Sequence, residues 1–211
     1  MKHICILLIL VPWFAIATAQ QPDEIIINGT KLPLNTNPLD SVIAEKDWQI
    51  PKEAEIWSSN WRGYVAQWEI IADKLVLNEA GYLLKGYDYD DPHRKSIVGS
   101  LFKTEPPLVA EWYSGALIVP DGEMISYVHM GYGSVYSHYQ ILRIKNGIVI
   151  EHLSFTDAQF SAYQQRKFQA FKETEQFQKE FNELVNGKEK WPEEDALAFL
   201  QSYYAEYYLS L

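Results

Sequence analysis

The chain has 211 residues, 28 acidic against 18 basic, a net charge of −10 and a single cysteine. Hydrophobic residues make up 47% and charged residues 22%, which excludes a disordered chain. The negative balance, with no clustered run of Lys and Arg, argues against nucleic acid as a partner.

Lys2 and His3 precede an apolar run from Ile4 to Ile16, and Ala17-Thr18-Ala19 follows. That order is a secretory signal at residues 1–19, with cleavage expected between Ala19 and Gln20. The run is short for a bilayer span, so no stable membrane span is expected after cleavage. Cys5 leaves with the signal, and the mature chain then has no cysteine and no thiol chemistry. A periplasmic or secreted protein stabilised by its core is the expectation.

Residues 24–34 read as a hairpin turning at Asn28-Gly29, followed by a short helix over 39–46. Between Trp61 and Leu84 two strands are expected. Tyr64, Ala66, Trp68 and Ile70 alternate onto one face, and Ala72-Asp73 makes the turn. A polar break with Asp88, Asp90 and Asp91 lacks the glycine and later glutamate of a calcium loop, so it reads as a solvated loop. Leu108 to Val119 is strand-like, Pro120-Asp121-Gly122 has turn chemistry, and Met124 to His129 is expected to run back. The plainest hairpin joins residues 136–145 and 148–155 through Asn146-Gly147.

The pattern changes at Thr156, which forms a capping box with Gln159. Phe160, Tyr163, Phe168, Phe171 and Phe177 follow at helical spacing up to a stop at Gly187. Pro192 opens a second helix with Leu197, Leu200, Tyr204, Tyr207 and Leu211 as its stripe. The expected fold is α+β. An antiparallel β-sheet body (20–155) is followed by a C-terminal antiparallel helical hairpin (156–211) packed on it.

Chemistry-bearing residues are sparse. His129, beside Gly131 and Gly133, is the best general acid or base, with Glu111 to orient it and Arg62 to neutralise developing charge. That trio would make a hydrolase or lyase; a histidine merely ending a strand explains the same residues. Ser134 lacks the flanking glycines of a nucleophile elbow. His129 and His138 do not have zinc spacing, and neither a metal nor a cofactor is expected. Trp61, Tyr64, Trp112, Tyr113, Tyr132 and Tyr136 belong to an unusually aromatic chain, with 7 Trp and 14 Tyr. Exposed, such rings suit a protein or glycan; buried, they form core.

Trp61-Arg62-Gly63-Tyr64, Trp68-Glu69-Ile70, Asp73-Lys74-Leu75, Trp112-Tyr113-Ser114-Gly115 and His129-Met130-Gly131-Tyr132-Gly133-Ser134 together resemble a bacterial family of uncharacterised proteins with these motifs in this order. The resemblance spans roughly 31–150 and implies no activity, cofactor or catalytic residue. An exported, non-enzymatic binding or interaction module is the leading expectation. The hydrolase or lyase and a self-associating structural envelope protein are the alternatives.

Overall fold

A computed structural model describes residues 19–211 except 89, 91 and 189. The apolar start with Cys5, and Tyr89 and Asp91 of the acidic break, lie outside the described residues. Strands β1 (Asp23–Ile27) and β2 (Thr30–Leu34) form the first hairpin, with Asn28 and Gly29 at φ 51° and 78°. Both central residues have positive φ, which matches the twist of the flanking strands. Helix α1 (Asp40–Glu45) follows. Strands β3 (Val65–Ile71) and β4 (Lys74–Leu83) turn at Ala72 and Asp73, also at positive φ.

Short β5 (Arg94–Ser96), helix α2 (Val98–Phe102) and short β6 (Leu108–Val109) lie along β4. Strand β7 (Gly115–Ser126) then leads to β8 (Val135–Lys145) and β9 (Ile148–Thr156). The strand path is β2-β1-β3-β4-β9-β8-β7. Every pairing is antiparallel except that of β1 with β3. Although β2 and β7 stand at opposite ends of this path, Asn35 N–H donates to Ile118 O at 2.8 Å. The sheet therefore curls until its ends meet. Ile25, Leu34, Trp68, Leu77, Leu117 and Leu142 fill the enclosed side.

Alternation along β7 and β8 sends Ala116, Ile118, Tyr139 and Ile141 to the other face. Helices α3 (Asp157–Lys172), α4 (Glu175–Asn186), α5 (Glu193–Tyr203) and α6 (Ala205–Tyr208) supply the second core there. Phe160 stacks on Tyr139, and Phe171 and Tyr208 are buried beside them. No helix among the described residues is long and apolar enough to cross a membrane.

The α+β class stands, but two local expectations are corrected. Pro120-Asp121-Gly122 does not reverse the chain. Gly122, at φ 81°, forms a bulge inside β7, and the strand runs on to Ser126 opposite β8. The C-terminal region is four helices where two were expected. Thr174 is the reason for the first break: its hydroxyl donates to Phe171 O and accepts Phe177 N–H, closing α3 and capping α4. The sheet is covered by α3 and α6, while α4 packs against α5.

Candidate functional site

The end of the sheet where β1 starts, β2 finishes and β3 starts holds a cluster of buried polar groups. Asp23 is in phase with Ile25 and Ile27, so the alternation that buries the isoleucines buries its carboxylate too. Its Oδ1 accepts from Arg62 Nη2 and from Ala66 N–H, both at 3.1 Å, and its Oδ2 accepts from Trp68 Nε1 at 3.2 Å. Arg62, 7% exposed, also donates from Nη1 to Asn37 Oδ1 at 2.6 Å and from Nη2 to Gln21 O at 3.1 Å. Its guanidinium lies 4.9 Å from the Tyr64 ring centre.

Asn37 is the hub. Its Oδ1 also accepts from Tyr132 Oη at 2.9 Å, and its N–H donates to Glu206 Oε1 at 3.1 Å. Glu206 belongs to α6, and its Oε2 meets Tyr113 Oη at 3.2 Å. Tyr64 donates to Asp40 Oδ1 at 2.8 Å.

Burial dominates the electrostatics. It raises the Asp23 carboxyl against the pull of Arg62 and three hydrogen bonds. Burial also disfavours the Arg62 charge, but Asp23 more than restores it, and Arg62 remains a cation. Burial pushes Glu206 up to about 7, opposed by Asn37 N–H and Tyr113 Oη. The Tyr64, Tyr113 and Tyr132 hydroxyls are raised by burial and stay protonated donors.

Arg62 is therefore held by Asp23 and Asn37. Neither Glu111 nor His129 is among its hydrogen-bond or ion-pair partners. Glu111 is exposed just before β7, and His129 is exposed with its ring edge-on to Tyr127 at 4.6 Å. Of the aromatic candidates, Tyr64 and Tyr113 are buried, and Tyr136 is half-buried against Tyr139. Trp112 is half-buried, packs on Phe102 and donates from Nε1 to Pro38 O at 3.0 Å. Tyr132 is half-buried and tied to Asn37. Trp61 alone of the six is exposed, at 69%.

Above the cluster, residues 19–21 join two loops. Gln21 N–H donates to Ser59 O at 2.5 Å, and Gln20 N–H donates to Gly131 O at 2.8 Å. Trp61 and the 127–133 loop thus share one end of the molecule. The loop and the strand leading into it expose Met124, Ile125, Tyr127, Val128 and Met130, the last at 66%.

No motif in the sequence marks Asp23, Asn37, Asp40 or Glu206. Asp23 carried a usable signal, an acid in step with two inward isoleucines; Asn37 and Glu206 carried none. No protein-family model, curated protein or solved structure matches the chain.

Proposed function

We propose that the protein is an exported binding module, working in the periplasm or outside the cell, that meets a protein or glycan through the end bearing Trp61 and the 124–130 segment. The carrying observation is that large apolar side chains there are exposed on a base fixed from below by the Asp23–Arg62–Asn37 cluster. Exposed large apolar side chains on a chain of this charge are suited to recognition. Arg62, His129 and Glu111 carry no catalytic role in this reading, because Arg62 is engaged below the surface by other partners.

The test is to probe immobilised protein with arrayed envelope glycans and with isolated envelope proteins. Capture that is lost in Trp61→Ala and in Met130→Ala, but kept in an exposed control such as His138→Ala, supports the proposal. Capture indifferent to both substitutions refutes it.

A further inference from the structure

The outer edge of β9 is left open over most of its length. Strand β4 reaches it only where Lys74 faces Ile148, and Asp73 O takes Val149 N–H at 2.8 Å. From Ile150 to Phe155 no strand among the described residues pairs with that edge. An open edge offers unpaired N–H and C=O groups to any extended chain. Proteins usually blunt such edges with Lys, Pro or a bulge. The stretch Glu151-His152-Leu153-Ser154-Phe155 contains neither Lys nor Pro and pairs regularly with β8; the register shift of β9 falls just before it, at Ile150.

Helix α3 leaves a furrow of about 350 Å³ beside this edge, lined by Ser154, Phe155, Gln159, Tyr163 and Arg166. Ser154 and Phe155 both line it, so the furrow reaches the end of this strand. Ala162 and Arg166 also line a second groove, of about 710 Å³, between α3 and α5. Gln165, Gln169, Lys172 and Gln201 are part of its wall.

The charge of the two grooves is one-sided, and Glu151 on the adjoining edge is paired with Arg143 at 2.8 Å. Their lining includes Arg166 and Lys172 and no Asp or Glu, in a chain with net charge −10. Neither cation has an ion pair among the described residues. Arg166 lies over the Tyr163 ring at 5.3 Å, and both residues line the furrow.

We propose that the two grooves form a peptide track, and that its occupant is an extended acidic peptide that adds a strand to β9 and places acidic side chains on Arg166 and Lys172. Main-chain hydrogen bonds to the open edge supply the affinity, and the cations select the sequence. The track shares no residue with the Trp61 surface, so either can fail without the other.

Selection of a phage-displayed random peptide library on the purified protein is the test. The expected result is enrichment of acidic residues at alternate positions, with synthetic winners binding Arg166→Glu at least about tenfold more weakly, the loss of roughly one charge-assisted hydrogen bond. Methylating alternate peptide nitrogens should weaken binding similarly, because it removes donors while leaving the side chains. Recovery of basic or uncharged winners, or equal binding by a folded Arg166→Glu protein, overturns the proposal. So does a concentration-dependent dimer through β9 that excludes the peptides, since a second copy would then be the occupant.

Discussion

The Glu206 carboxylate and the Tyr113 hydroxyl meet at 3.2 Å inside the protein, although one lies in the last helix and the other just before β7. Tyr113 Oη also stands 3.2 Å from Ala116 O. A protonated Glu206 can therefore donate to Tyr113 while Tyr113 donates onward to Ala116 O. The ionised form leaves a negative charge without a cation in contact.

The first prediction concerns pH. Burial raises Glu206 from 4.5 to about 7, so between these values the folded chain holds a proton that the unfolded chain has lost. Stability contributed by this group is complete below about pH 4.5, declines as pH rises, and is gone above about pH 7. The difference is on the order of 3 kcal/mol. Glu206→Gln keeps an acceptor for Asn37 N–H and a donor for Tyr113. Urea unfolding of this variant should show higher stability than the parent at pH 8 and a flatter dependence from pH 5 to 8. A parent and variant with parallel pH profiles would exclude a protonated Glu206.

The second concerns the buried ion pair. Arg62→Ala leaves the Asp23 carboxylate in the interior without its cation, at a cost of about 3–5 kcal/mol. Replacing both, as Asp23→Asn with Arg62→Met, removes the isolated charge and should be milder than Arg62→Ala alone. Chemical denaturation of the three proteins checks the order.

The two candidate recognition tryptophans should behave oppositely. Trp61→Ala removes an exposed ring and should change stability by less than about 0.5 kcal/mol. Trp112→Ala strips the packing on Phe102 and the hydrogen bond to Pro38 O, and should cost about 3 kcal/mol. Thermal unfolding separates them, and shows that loss of capture in Trp112→Ala would say nothing about its touching a ligand.

Two turn glycines give a further contrast. A methyl group on Gly147, at φ 75°, would sit 2.8 Å from Ala110 O, whereas one on Gly29, at φ 78°, meets open space. Gly29→Ala should cost about 1 kcal/mol through backbone strain alone. Gly147→Ala should cost more, about 2–4 kcal/mol, because the backbone of Ala110 must also move. Equal losses in denaturation midpoints would mean that this close approach is not kept in solution.

What was legible in the sequence was local. Asn28-Gly29, Ala72-Asp73 and Asn146-Gly147 place each reversal where the chain turns. Thr156 and Gln159 form the expected capping box. Pro120 to Gly122 misled because the same residues suit a bulge, and only pairing with β8 decides between bulge and turn. Thr174 gives no visible break because the phenylalanine stripe continues across it at helical spacing. The polar cluster was out of reach for another reason: Asp23, Asn37, Arg62, Tyr132 and Glu206 are brought together by the closure of the sheet and the docking of α6, neither of which is written in any single segment.

The meeting of Asn35 with Ile118, and of Asn37 with Glu206, also fixes the order in which the molecule can be made. A growing polypeptide can form β1, β2 and β3 early, but their final neighbours emerge much later, and the last of them only with α6. Contacts so distant along the chain slow the search for the native state. Until synthesis reaches Glu206, Asn37 N–H lacks the partner it has in the finished fold. The bonds that finish this end of the sheet are therefore among those that close the longest loops of the chain.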